Sequence, residues 1–184
     1  MLNIERKGTK LYSFAILLLM ALFIVGCSPS TNLDEPPEVL YGQDVCEECG
    51  MIINEERFAA SYVTESETVR RFDDVGGMLL YDQKHQEDVA LYWVHDLDTE
   101  DWIDAKEAFF VLDEGLITPM GWGLAPFSTQ EQAENYMAEN GGVMSDFATL
   151  LQEIADGDID PTTLSAHDHE VGHEDGMEME DDGE

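Results

Sequence analysis

The chain has 184 residues, 43% of them hydrophobic, and 41 acidic side chains against 8 basic ones give a formal net charge of −33. That length supports one sizeable core. A polyanion of this density is repelled by phosphate backbones and anionic lipid head groups, which excludes nucleic acid as a ligand.

The chain opens with an export signal. Arg6, Lys7 and Lys10 form a basic region ahead of an apolar run at 14–25, shorter than the ~20 residues a membrane span needs. The run ends Ile24-Val25-Gly26-Cys27-Ser28, which resembles a bacterial lipobox. Processing at that motif would remove 1–26 as a lipoprotein signal peptide and diacylate Cys27, anchoring the chain by lipid on the extracytoplasmic face of a bacterial membrane. An uncleaved anchor helix is the competing reading, and it too places the domain outside the cytoplasm. Residues 27–38 are rich in Ser, Pro, Asn and Asp without a hydrophobic period, so they read as a tether, with a folded domain expected over 39–157.

With Cys27 assigned to the anchor, Cys46 and Cys49 are the remaining thiols of the chain's 3 cysteines. In an oxidising compartment such a pair either forms a local disulfide or stays reduced for a purpose. A disulfide closing so short a loop would constrain little of the unfolded chain.

Residues 58–63 alternate, with Phe58, Ala60 and Tyr62 on one face, and a polar turn leads into 69–72, which predicts a β-hairpin. Asp73 or Asp74 can cap a helix over 75–84 that buries Val75, Met78, Leu79 and Tyr81. Gly76 and Gly77 sit in its first turn although each costs about 1 kcal/mol relative to alanine there. Residues 89–95 form a near-continuous apolar run, suited to a strand buried on both faces, and 98–104 read as an acidic loop carrying Trp102. Residues 109–112 are aromatic and β-branched, hence another strand.

The segment 118–127 contains two prolines and two glycines, which limits it to an edge strand or a shaped loop. Ser128-Thr129-Gln130-Glu131 is a capping-box pattern, predicting a helix over 129–139 that ends at Asn140-Gly141-Gly142. Residues 143–144 suit a short strand, and Ser145 would cap a helix whose Phe147, Leu150, Leu151 and Ile154 form one apolar stripe, stopped by Gly157. Strand, strand, helix thus occurs twice, so the fold class is α+β with two similar ββα units in one domain. Residues 158–184 are acids and glycine with few large apolar side chains, the composition of a disordered tail. The tail carries His167, His169, His173, Met177 and Met179, which read either as incidental or as a flexible auxiliary metal-collecting arm.

The chemistry concentrates at Cys46-Glu47-Glu48-Cys49-Gly50-Met51. Two thiolates spaced Cys-x-x-Cys on a turn, with a thioether close by, are soft ligands that prefer Cu(I) to oxygen-loving cations. A structural zinc site needs four protein ligands, and only His85 and His95 are left in the domain to complete one. A thiol–disulfide oxidoreductase would use the same pair, without the usual helix starting at the second cysteine. Met120 is a further candidate, bracketed by Pro119 and Gly121 in a shaped loop, with Trp122 available to cover a bound cation. The plain alternative is a methionine filling core space.

These blocks, with Arg71-Phe72-Asp73-Asp74-Val75-Gly76-Gly77-Met78-Leu79 and Thr118-Pro119-Met120-Gly121-Trp122-Gly123-Leu124-Ala125-Pro126-Phe127, together resemble the NosL family of nitrous-oxide reductase accessory lipoproteins. The resemblance implies an extracytoplasmic Cu(I) chaperone, not an enzyme. Its copper would serve the copper-sulfide centre of nitrous-oxide reductase, with a membrane ABC transporter as a second partner. It also implies two ββα units similar to part of organomercurial lyase, which keeps a mercury-handling reading open beside the thiol–disulfide and zinc-stapled ones. Carried over position by position, the family's cysteine falls on Cys49 and its methionine on Met120, with Cys46 or Met51 as the third metal ligand.

Overall fold

A computed structural model describes residues 35–159. Strands β1 (Ala60–Thr64) and β2 (Val69–Phe72) form the expected hairpin, followed by helix α1 (Val75–His85). Next come β3 (Val89–His95), β4 (Trp102–Asp104), β5 (Phe109–Leu112) and β6 (Leu124–Phe127). Helix α2 (Gln130–Asn140), β7 (Val143–Asp146) and α3 (Phe147–Asp156) complete the domain. Two antiparallel sheets result, ordered β2-β1-β3-β4 and β6-β5-β7. The two ββα units are β1-β2-α1 and β5-β6-α2. The β3-β4 hairpin extends the first sheet, while β7 extends the second and hands the chain to α3, which packs on α1.

Strands β5 and β6 of the second sheet are covered on both sides, and the period-two alternation of β5 divides the core. On β5, Phe110 and Leu112 face the large cluster shared with the first sheet, α1 and α3, whereas Phe109 and Val111 face a smaller cluster under α2. Helix α3 has ten residues, fewer than an isolated helix needs to persist in water. It forms because Phe147, Leu150 and Ile154 are buried on one stripe, each contributing about 1.5–3 kcal/mol. Asp146 caps its start and Gly157 closes it at φ 78°.

Several expectations shift. Phe58 lies in a 3-10 turn (Glu56–Phe58) and joins the α2 cluster, apart from Ala60 and Tyr62, because β1 starts two residues later. Strand β3 is only half-buried over its first three residues. The acidic stretch after it contains β4, in which Trp102 pairs with His95 and stacks near its ring. The capping box forms one residue later than the sequence pattern indicates, with Thr129 and Gln132 as the reciprocal pair. Asp146, not Ser145, caps α3. Ile159 is packed in the core, two residues beyond the expected domain end.

Candidate metal centre

The cysteines sit at the tip of a miniature hairpin. Val45 and Ile52 form a β-bridge, and the Cys46 amide donates to the Met51 carbonyl at 2.8 Å. Gly50, at φ 74°, lets the chain turn back so that its amide reaches the Cys46 carbonyl at 2.9 Å. The Glu47 amide donates to the Arg71 carbonyl, which seats the tip against the edge strand β2. Three of the four ion pairs among the described residues hold this segment: Arg71 with Asp44, Arg70 with Glu47, and Lys84 with Glu48. Scarce basic side chains are thus placed where they fix the thiol loop.

The junction between β2 and α1 supplies two adjacent buried aspartates, 3% and 1% exposed, that face different halves of the site. Asp73 turns to the cysteines, with Cys49 Sγ 3.4 Å from its Oδ2 and 3.6 Å from its Oδ1. Ligand atoms of Cys46, Cys49 and Asp73 all lie within 4.8 Å of one another. Asp74 turns to the other loop. Its Oδ1 accepts from the Gly76 amide at 2.9 Å, capping α1, while its Oδ2 accepts from the Thr118 hydroxyl at 2.5 Å and the Met120 amide at 3.0 Å. Burial pushes the Asp74 carboxyl up from the ordinary carboxylate range, against these three donors. The Thr118 hydroxyl in turn accepts from the amides of Trp122 and Gly123, so one carboxylate organises the whole Met120 loop.

The two glycines of α1 now have a reason. A Cβ on Gly76 would lie 2.0 Å from Cγ of Trp122, and one on Gly77 would lie 2.5 Å from Sδ of Met120. The missing side chains let the Met120 loop lie directly on the start of α1. Trp122 is buried against Gly76, so its ring serves as a steric pillar beneath the Met120 loop. An open groove of about 520 Å³ is lined by Gly50, Met51, Asp73 and Pro119, among others, so the cysteine and methionine loops face a common space.

Cys49 is exposed and Cys46 is buried. Burial pushes the Cys46 thiol up to about 12, so it keeps its proton at neutral pH unless a metal displaces it. The attacking thiol of an oxidoreductase pair needs the opposite shift, so Cys46 is not suited to be the attacking member of such a pair. Among the described residues no histidine joins the thiol cluster, which leaves the zinc-staple reading without its expected ligands. His95 uses Nε2 on the Tyr41 hydroxyl at 3.0 Å and Nδ1 on the Glu100 carbonyl at 2.6 Å, and His85 stacks on Tyr81. Asp73 is the site residue that sequence reasoning missed. The doubled aspartate was its signal, since a helix cap needs only one. Cys27, His167, His169, His173, Met177 and Met179 lie outside the described residues.

The fold and the site together define a small α+β domain with a candidate metal site, where two thiols and a carboxylate converge beside a groove that the Met120 loop also borders. Residues 37–155 match the family model described as NosL, and the chain belongs to that family. It is 29% identical over 177 residues to the copper-binding lipoprotein NosL of Stutzerimonas stutzeri, covering 85% of this chain and 93% of that protein. Its fold is similar to the crystal structure of the copper chaperone NosL from Shewanella denitrificans. That match has a TM-score of 0.56 and 22% identity, and covers 61% of this chain and 93% of the other.

Proposed function

We propose that this chain is a lipid-anchored, extracytoplasmic Cu(I) chaperone that supplies copper for the copper-sulfide centre of nitrous-oxide reductase, working with a membrane ABC transporter. The reading rests on one observation above all. An exposed thiol, Cys49, shares a 4.8 Å cluster with a buried thiol and a buried carboxylate, beside the loop that holds Met120. Sulfur donors of this kind favour Cu(I). Cys49 and Met120 would hold the ion, with Cys46 or Met51 as third ligand and Asp73 close to the thiolates. Family membership and the copper-binding names of the relatives support the same cargo.

The geometry suits a carrier, not a catalyst. Cys49 is open to an incoming sulfur ligand from an acceptor, so the ion can pass by stepwise ligand exchange. Buried Cys46 and the loop around Met120 keep it from water meanwhile. Cys27 holds the domain at the membrane surface through its lipid.

The test is genetic and spectroscopic, in a cell that makes both this chain and nitrous-oxide reductase. Deleting the chain should yield reductase lacking the copper-sulfide centre, restored by the wild-type gene and not by Cys49→Ser. A fully metallated reductase from the deletion strain would refute the proposal.

A further inference from the structure

Six large apolar side chains are exposed among the described residues, and five of them belong to the two loops that build the metal centre. Leu40, Val45, Met51 and Ile52 stand on the cysteine segment, between 44% and 53% exposed. Ile117, 89% exposed, stands two residues before Pro119 on the opposing loop. Val45 is the bridge partner of Ile52, and Ile117 stands on the loop whose Pro119 lines the groove, so exposed apolar side chains concentrate on the two segments that border it. Met51 and Ile52 line that groove directly, with Pro119 across from them. Such a patch rimmed by charge is the anatomy of a protein–protein interface: an apolar centre that excludes water and a polar rim that selects the partner.

The rim decides the occupant. Glu55 lines the groove and Glu56 follows it, and Glu114 lies three residues before Ile117; none of the three has an ion-pair partner among the described residues. A second copy of this chain, itself carrying −33, would set like charges against one another across the rim. A partner with an apolar centre and a Lys/Arg border satisfies both features. We propose that Val45, Ile52 and Ile117 form the docking face for such a basic-rimmed protein, which covers the groove while metal is exchanged. This deepens the carrier reading and rests on it, because a covered groove lets sulfur ligands exchange away from water.

Neither Ile52 nor Ile117 is a metal ligand, so docking and metal binding separate experimentally. A photo-crosslinking benzoylphenylalanine is placed at position 52, 117 or, as control, at exposed Val143 in the full lipidated chain, and adducts are mapped by mass spectrometry in the producing cells. Positions 52 and 117 should capture the same protein, at a segment bordered by Lys and Arg, and position 143 should not. Adding Ile117→Asp to the position-52 probe should cut the adduct at least tenfold while leaving Cu(I) affinity unchanged. Adducts to a second copy, to lipid or to an acidic segment would overturn the proposal. So would equal yield from position 143, or no adduct at all. A parent that fails to bind Cu(I) would instead sink the carrier reading, whatever the crosslinks show.

Discussion

Alanine at Gly76 and at Gly77 should have opposite consequences, although the two positions are adjacent on α1. Both are helical and permit alanine's backbone, and either substitution gains up to about 1 kcal/mol of helix propensity. At Gly76 the new methyl would lie 2.0, 2.3 and 2.5 Å from three atoms of Trp122, whose ring is 2% exposed and has no room to retreat. Overpacking of this kind costs about 1–3 kcal/mol, so the net expectation is a loss of about 1–2 kcal/mol. At Gly77 the new methyl meets Sδ of Met120 at 2.5 Å and its Cε at 3.4 Å, the flexible end of a half-buried side chain. That end can swing aside with stability nearly unchanged, but the thioether is then displaced from the place where it would hold copper. Urea unfolding followed by circular dichroism measures the first effect, and Cu(I) competition against a chelator measures the second. Gly77→Ala with parental Cu(I) affinity, or Gly76→Ala with parental stability, would refute this account of why the glycines are there.

Asp74→Ala should combine both losses. It removes a helix cap worth about 1 kcal/mol and strands the Thr118 hydroxyl and the Met120 amide. A total near 3 kcal/mol in urea unfolding is expected, with weakened Cu(I) binding. Glu87 is held down at about 2 by hydrogen bonds from Arg70 and Tyr62. Its folded value lies below its unfolded one, so its contribution is full above about pH 4.5 and fades as pH falls toward 2. Glu87→Gln should therefore cost about 1–2 kcal/mol at pH 7, after allowance for solvent screening, and progressively less below pH 4.5. Equal losses at pH 7 and pH 3 would contradict the linkage. Truncation after Ile159 should leave the tight Cu(I) site intact, read by the same chelator competition, whereas loss of that site would make the tail a ligand donor.

Much of the fold was legible because local signals and tertiary packing agree. The α3 stripe, its Gly157 stop and the β1-β2 hairpin follow from periodicity and turn chemistry alone. Strand β4 was not legible, since Trp102-Ile103-Asp104 is too short to show a period and becomes a strand only by pairing with β3. Phe58 was assigned to the wrong surface because alternation does not reveal where a 3-10 turn ends and a strand begins. The site was half legible. Cys46, Cys49, Met51 and Met120 stand out by type, and the doubled aspartate signals a second role for one of the pair, but nothing local reveals which of the two faces the thiols and which reaches Thr118. Nor could Gly76 and Gly77 be explained before the loop more than forty residues later was seen lying on them.

The central claim is that Cys49 and Met120, from two separate loops, hold one Cu(I). Anaerobic Cu(I) titration of the signal-less protein against a competing chelator tests it most directly, on the parent, Cys49→Ser and Met120→Ala. Tight one-equivalent binding in the parent and a marked loss of affinity in both variants is the predicted result. Weak binding by the parent, or parental affinity in both variants, would contradict it.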